Sequence, residues 1–325
     1  MTSTQPQLAP DALEAHRREL TAYCYRMLGS AADAQDAVQE VMLRAWRVGY
    51  DESRASLRTW LYRIATNYCL DQLRSASRRT RPIDMGPAAA PVLESLGDAR
   101  PATSWVTPVP SSAVLPDHTD PAVLVEARES VRLAFIAALQ HLAPRQRAVL
   151  VLADVLGWRA AEIADLLDTS VAAVTSALQR ARATMAAAPL PPRPEPLTAG
   201  LAALLARYVS AFEAYDVSAL VALLREDATL SMPPFTLWLQ GPGDIAAWLL
   251  GPGAECRGSV MVPVDANGAT AWGQYRPDPD GGYLPWSLTT VETDGERITA
   301  MTSFLDTGAL FAAFGLPPRL EQRPS

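Results

Sequence analysis

Lysine is absent from the 325 residues, so all 28 basic side chains are arginine. A GC-rich coding sequence accounts for the bias. Histidine and the amino terminus apart, every cation in the chain is therefore a planar guanidinium. Cysteine is scarce, and Cys24, Cys69 and Cys256 stand far apart with no CxxC and no Cys/His cluster. That excludes a disulfide framework and a zinc site, and it suits a reducing compartment. No histidine follows His141, which removes the commonest general acid/base from everything beyond it. No apolar run reaches the ~18 residues that a membrane span needs. Met1 to Pro10 lacks the basic start and apolar stretch of a secretory leader, so none is expected. What the chain does have is 49% hydrophobic and 19% charged residues, a globular composition that excludes a fibrous or mainly disordered protein. A soluble cytoplasmic protein is expected.

The net charge of −7 argues against a nucleic-acid partner until its distribution is read. Residues 44–81 hold nine arginines and three acids, a net of +6, whereas residues 197–325 hold seven arginines and fourteen acids, a net of −7. A basic stripe on an acidic chain is an electrostatic footprint that the whole-chain charge conceals.

Two proline-rich stretches divide the chain. Arg81 to Pro121 carries eight prolines, and Pro189 to Pro196 is a shorter break; proline lacks the backbone donor and stiffens the chain, so both read as linkers. Three modules result: 10–80, 122–188 and 197–318. The first reads as helical, with a capping-box pattern at Ser30-Ala31-Ala32-Asp33 and an apolar face of Ala37, Val38, Val41, Met42, Ala45 and Trp46. A further helix from about Ser56 carries Arg58, Arg63, Asn67, Arg74, Arg78 and Arg79 on its polar side. The second module is also helical. Val131 to Leu142 forms one face, Pro144 opens the next helix, and a pair of helices, Ala160–Leu167 and Val171 to about Met185, is joined by Asp168-Thr169-Ser170. The third opens with two amphipathic helices. β-like runs follow at 228–232, 235–239, 259–264, 270–276, 284–292 and 298–305, with hairpin signals at Asp280-Gly281-Gly282 and Asp294-Gly295. That is α+β with a curved antiparallel sheet.

The segment 160–182 has helix-turn-helix spacing, in which the second helix fits a major groove. Its outward residues are Ser170, Ala172, Ala173, Thr175, Ser176, Gln179, Arg180 and Arg182; Arg and Gln reach base edges, while Ser and Thr more often meet phosphate. On the arginine-rich helix, Trp60 and Tyr68 lie between Arg58, Arg63 and Arg74. Aromatics with arginines suit single-stranded nucleic acid, bases stacking while the backbone is neutralised. Core packing is the competing account of both aromatics.

At these residues a family resemblance enters. ELTAYCYRMLGSAADAQDAVQEVMLRAWR (19–47) and RASLRTWLYRIATNYCLDQLR (54–74) resemble region 2 of the extracytoplasmic-function (ECF) sigma factors of the sigma-70 family. The segment 139–182 resembles sigma region 4. The third module, with MPPFTLWLQGPGDIAAWL (232–249), resembles the nuclear-transport-factor-2-like (SnoaL-like) domain fused to certain actinobacterial members, the G-type sigma factors among them. The fold class implied is two all-α helical domains followed by an α+β cone-shaped domain. The function implied is binding of core RNA polymerase and promoter-specific transcription initiation, modulated by the fused domain.

The resemblance also implies roles by position. Asp33, Asp36, Gln39, Glu40 and Arg44 match the face that docks on the polymerase β′ clamp, and region 4 meets the β flap. Arg58, Trp60, Arg63, Asn67, Arg74, Arg78 and Arg79 match the part that opens and holds the promoter −10 element. Ser170, Ala172, Thr175, Ser176, Gln179, Arg180 and Arg182 match the −35 reader, although Ala173-Val174-Thr175-Ser176-Ala177-Leu178 lacks two basic side chains common there. Each missing phosphate contact weakens binding and flattens its salt slope by about one unit. The linker is expected to thread into the polymerase, with Trp105 to Pro110 resembling a Trp-Pro-Pro signature. A place on the nucleoid follows when polymerase is bound.

The third module has the open chemistry. Met232, Phe235, Trp238, Trp272, Tyr275, Trp286 and Phe304 are candidates to enclose an apolar pocket for a small ligand. Isomerase or cyclase chemistry needs a buried carboxylate and an oxyanion donor, for which Asp227, Tyr275 and Arg276 are the candidates. An enzyme with a helical DNA-binding module is therefore the alternative to a sigma factor. The expected role is regulatory, by docking of the acidic module on the basic sigma core, with no cofactor, metal or catalytic residue.

Overall fold

The computed structural model describes residues 10–48, 50–53, 55–75, 78–117, 120–188 and 198–323. The shorter proline-rich break, 189–196, lies outside them. The chain forms two compact units, Met1–Arg79 with Val106–Pro191 and Thr80–Trp105 with Pro192–Ser325.

The first unit is helical: α1 Pro10–Glu14, α2 Arg17–Leu28, α3 Ala31–Val48, α4 Leu57–Ser75, α5 Ser111–Val114, α6 Pro121–Glu129, α7 Leu133–Leu139, α8 Pro144–Leu150, α9 Ala160–Leu167 and α10 Val171–Ala187. Helix α8 runs on through a π-type turn, Val151–Val155, closed by the Leu156 N–H on Val151 O at 3.0 Å. Local signals place most of the ends. Gly29 terminates α2 at φ +71, with its N–H on Tyr25 O at 2.8 Å; only glycine takes that left-handed cap without strain. Ser30 Oγ accepts the Asp33 N–H at 3.2 Å, which starts α3. The other half of that capping box is not made, because the Asp33 carboxylate is held by Arg79 at 2.5 Å.

The two helical modules share one apolar core. Leu20, Tyr23, Met27, Val41, Leu61 and Tyr62 pack in the same cluster as Ile136, Leu139, Val149, Leu152 and Ile163. Two buried guanidiniums join them. Arg147, 3% exposed, donates Nη1 to Met27 O and to Gln140 Oε1 (2.5 Å), and Nη2 to Gln140 O (3.2 Å) and Leu142 O (3.3 Å). Arg26 donates Nε to Ser130 O (3.1 Å) and Nη2 to Ser130 Oγ (2.6 Å). Among the described residues neither has a carboxylate partner, and burial pushes both down to about 10. The sequence reading of Trp46 as an apolar-face residue is corrected: it is 53% exposed. Helix α3 turns Ala34, Ala37, Val38, Val41 and Ala45 inward, and Trp46 falls at the edge of that stripe in the last turn.

The second unit is a six-stranded sheet covered by helices: α11 Ala199–Glu213, α12 Val217–Ala222, β1 Leu224–Ser231, β2 Trp238–Gln240, α13 Pro242–Leu250, β3 Val260–Ala266, β4 Ala269–Pro277, β5 Tyr283–Thr293, β6 Ile298–Phe304 and α14 Thr307–Ala313. The strand order is β2-β1-β6-β5-β4-β3. The expected all-antiparallel sheet is corrected at one place: β1 and β6 pair in parallel, Leu230 opposite Met301. Hairpin turns fix only the direction of neighbours in sequence. The β1–β6 direction depends on every reversal between them. A third hairpin turn, Asn267-Gly268 with φ +53 and +79, carries the Asn-Gly signal that the sequence reading passed over. The run 235–239 yields strand only from Trp238, because Phe235 closes a turn onto Met232 O at 2.9 Å.

Residues 80–105, read as linker, belong to this unit. The Ala89 N–H bonds Trp238 O, Trp238 Nε1 bonds Gly86 O, and the Arg100 N–H bonds Pro234 O, each at 2.9 Å. They lie along the β2 end of the sheet, where an open edge would otherwise present unpaired backbone groups.

Candidate nucleic-acid interface

Helix α3 carries Asp36, Gln39 and Arg44 exposed and Glu40 half-buried, spaced three and four apart so that they share one face. Arg44 Nε donates to Glu40 Oε1 at 2.6 Å and its guanidinium lies 5.6 Å from the Tyr68 ring. Asp33 is drawn off this face toward Arg79. Gln39 also lines a groove of about 1180 Å³ between α2, α3 and the segment 112–130.

The arginines of α4 and of the stretch after it are unequally free; Arg78 and Arg79, expected on the polar side of this helix, are corrected to positions beyond its end at Ser75. Asn67, Arg74 and Arg78 are exposed, with Arg74 3.3 Å from Asp71. Arg79 is buried and paired with Asp33. Arg58 donates to Glu19 Oε2 at 2.8 Å and lies 5.6 Å from the Trp158 ring. Arg63 Nη2 donates to Asp165 O on α9 at 3.0 Å. Trp60 is half-buried, 5.5 Å from the Tyr50 ring, so part of its surface remains available for stacking. The buried face of α4 is Leu61, Tyr62, Ala65, Thr66 and Cys69. Tyr62 and Trp158 sit 5.2 Å apart, and sequence reasoning assigned neither a role. A tryptophan ahead of a helix-turn-helix gives no local signal for what it packs on.

Burial would raise the Glu19 carboxyl, but the hydrogen bonds to His16 (2.5 Å) and Arg58 outweigh it and hold the group below the ordinary range. A carboxyl depressed on folding stabilises above its unfolded value, about 4.3, and that contribution disappears as pH falls through the lower folded value. The Glu19→Gln variant is expected to show a shallower loss of stability below about pH 4.3. Urea midpoints at pH 7 and across the acid limb check this; parallel acid limbs would exclude it.

Helices α9 and α10 form the expected pair. Ile163, Ala164 and Leu166 meet Val174 and Ala181 in the core, and the turn passes through Asp168 at φ +50. Ser170 caps α10, its Oγ accepting the Ala173 N–H at 3.2 Å. Ala172, Thr175, Gln179, Arg180 and Arg182 are exposed and Ser176 is half-buried. Arg182 is held in a fork by Asp154, at 3.0 and 2.6 Å. Helical spacing puts Ile163, Leu166, Leu167, Val171, Val174 and Leu178 in the seam between the two helices; Val171 is corrected, since at the first position of α10 it turns away from α9 and is 48% exposed.

This arrangement meets decisive comparisons with known proteins. Residues 12–79 match the family model described as Sigma-70 region 2, and residues 132–185 that described as Sigma-70, region 4. The chain is 46% identical over 320 residues to the ECF RNA polymerase sigma factor SigG of Mycobacterium tuberculosis, covering 94% of this chain and 83% of that protein. This chain belongs to the ECF sigma factors. It is also 33% identical over 220 residues to the ECF sigma factor SigJ of the same species, covering 67% of this chain and 62% of that one. The crystal structure of SigJ matches in fold, with TM-score 0.64 and 24% identity over 95% of this chain and all of that one. An ECF sigma factor acts as the promoter-specificity subunit of RNA polymerase. The alternative, an enzyme with a DNA-binding module, is not favoured.

The C-terminal pocket of this sigma factor differs from the sequence expectation. A cavity of about 50 Å³ lies between α11, α13 and the sheet, and of the seven candidates only Met232 and Trp286 line it. Trp272 packs in the core 5.6 Å from the Tyr208 ring. Tyr275 points to the opposite face, where its hydroxyl donates to Pro317 O at 2.8 Å and its ring meets Phe311; burial pushes it up to about 12. Side chains alternate along a strand, so Trp272 and Tyr275, three apart, cannot face one pocket. Trp238 is turned toward Gly86, and Phe235 and Phe304 do not line the cavity. Asp227 is exposed and bound by Arg225, which holds its carboxyl below the ordinary range. Arg276 pairs with Glu255 at 2.7 Å and stacks 4.1 Å from Trp286. Among the described lining residues there is no carboxylate and no histidine. Among the described residues no helix is long and apolar enough to cross a membrane.

Proposed function

We propose that this sigma factor divides promoter recognition between its two helical modules. The module of α2–α4 docks on the β′ clamp through Asp36, Gln39, Glu40 and Arg44, with Asp33 held in reserve by Arg79. It opens the −10 element with Arg58, Trp60, Arg63, Asn67, Arg74 and Arg78. Helix α10 reads the −35 element, and the second module meets the β flap. The observation that carries this reading is the pairing of an exposed recognition helix with an arginine track on one chain whose remainder is acidic. Promoter binding requires Arg58 and Arg63 to be released from Glu19, Trp158 and Asp165, so α9 has to part from α4. Arg79 supports α3 rather than touching DNA.

The C-terminal domain modulates this activity in a regulatory rather than a catalytic role, in keeping with a small cavity whose described lining residues hold no carboxylate and no histidine. The setting is the cytoplasm, on the nucleoid when polymerase is bound. Run-off transcription with purified core polymerase on genomic fragments tests the assignment. Defined transcripts from the full chain support it; absence of initiation together with absence of co-purification with core polymerase would overturn it. A version ending at Ala188 gives the sign of C-terminal control, and it also frees residues 80–105 from the sheet edge. The full chain is expected to show no turnover of enol or ketosteroid substrates.

A further inference from the structure

The N-terminal end of α10 presents carbon where a base reader usually presents donors and acceptors. Val171 is 48% exposed, and Ala172 and Ala173 beside it are exposed as well. None of the three belongs to the buried seam, which is Val174 and Ala181 with Ala177, Leu178 and Met185 against them. The neighbouring polar groups are already engaged within the protein. Ser170 Oγ accepts the Ala173 N–H at 3.2 Å. Thr175 Oγ1 donates back to Val171 O at 3.0 Å. Ser176 Oγ accepts from Arg180 Nη1 at 2.6 Å, and the Arg182 fork is closed on Asp154. Ser170 and Ser176 keep an O–H and Thr175 a lone pair for an outside partner, but each hydroxyl is already tied to the helix, and Gln179 and the rest of the Arg180 guanidinium lie two turns along from Val171 and Ala172.

In a helix-turn-helix the first residues of the second helix meet the base edges. The major groove offers one apolar group, the C5-methyl of thymine. A β-branched hydrocarbon at the first helical position, followed by two methyl groups, matches that group and matches neither guanine nor the exocyclic amines. We infer that α10 reads its promoter element through thymine methyl groups, with Val171 and Ala172 as the specificity-determining residues. The inference rests on α10 being the −35 reader. It adds that the element has thymine, on either strand, under the helix N-terminus, and that discrimination there is by apolar contact rather than by hydrogen bonding.

Thymidine and deoxyuridine differ only in the methyl group, which makes the test direct. Holoenzyme formed from the full chain and core polymerase is used to find the strongest promoter among genomic fragments. That template is rebuilt from synthetic strands with deoxyuridine for thymidine in the −35 element only. Each contacted methyl is expected to be worth about fourfold in initiation, so one or two contacts lower output by roughly 4- to 15-fold. The same replacement confined to the spacer leaves output unchanged. The double change Val171→Asn with Ala172→Ser puts polar groups in place of the exposed carbon, and Val171→Gly with Ala172→Gly removes it without adding a polar atom; both positions are exposed, so the core is untouched. Holoenzymes carrying either double variant should transcribe the two templates within about a factor of two of each other. Equal output from both templates by the parent, an unchanged thymidine-to-uridine ratio in the two variants, or a −35 element with no A·T pair would each overturn the inference alone. A parent holoenzyme that starts no defined transcript would overturn the promoter reading and this inference together.

Discussion

Arg147→Met is expected to lower the stability of the helical unit by about 3–5 kcal/mol, the net of two opposing effects. Removing the guanidinium relieves the burial of a charge. Burial pushes the Arg147 guanidinium down to about 10, which puts that relief at roughly 3 kcal/mol. Against it, Met27 O, Leu142 O, Gln140 O and Gln140 Oε1 lose their donor inside the core. An orphaned buried acceptor costs about 1–3 kcal/mol, so four of them outweigh the relief. The loss falls where α2 meets α7 and α8, and so on the joint between the two promoter-reading modules. Urea denaturation measures it, with the midpoint moving and the slope unchanged; the thermal midpoint should fall by roughly 6–20 °C. A variant as stable as the parent would mean that water reaches these carbonyls once the guanidinium is gone, and that Arg147 does not hold the modules together.

Trp158→Ala is expected to act on function in the opposite direction. The ring touches Tyr62 and Arg58 on α4, at 5.2 and 5.6 Å, and α9 begins two residues later. An aromatic pair contributes about 0.5–1.5 kcal/mol and a cation–π contact about 0.5–1 kcal/mol. Removing both shifts the balance between joined and parted modules by roughly 5- to 70-fold. Because Arg58 is needed on the −10 element in the reading above, the variant should reach half-maximal run-off transcription at a lower sigma concentration than the parent. Its thermal midpoint should fall at the same time. A variant with a lower midpoint and unchanged or weaker transcription would show that the α4–α9 contact does not restrain promoter binding. Screening with added salt separates the two contacts: exposed electrostatics weaken with ionic strength, so the ring-to-ring part of the effect should survive.

The primary sequence determined the elements and their ends. Pro144 at the first turn of α8, Ser30 and Ser170 at helix starts and Gly29 at a helix end act over three or four residues, and such signals do not depend on the rest of the fold. The helix-turn-helix was legible for the same reason, since its apolar seam and its turn lie within 23 consecutive residues, 160–182. The Asn267-Gly268 hairpin was equally legible and was passed over. The alternation that separates Trp272 from Tyr275 was also in the chain. An odd spacing of three puts the two rings on opposite faces of β4, so the strand period alone excludes Tyr275 from a pocket that holds Trp272.

Tertiary structure decided what depends on residues far apart. Whether the arginine track is free is such a question: Arg58 ends on Glu19, Arg63 on Asp165 and Arg79 on Asp33, partners 39, 102 and 46 residues away. A charge pattern counts guanidiniums but not their partners. The direction of β6 against β1, the attachment of residues 80–105 to the sheet edge, and the merging of two helical modules around Arg147 and Arg26 belong to the same class. Local periodicity fixes which face of a helix is apolar, because side-chain geometry repeats every turn. It carries no information on which distant face will cover it, because that choice is made by shape and charge complementarity between whole surfaces.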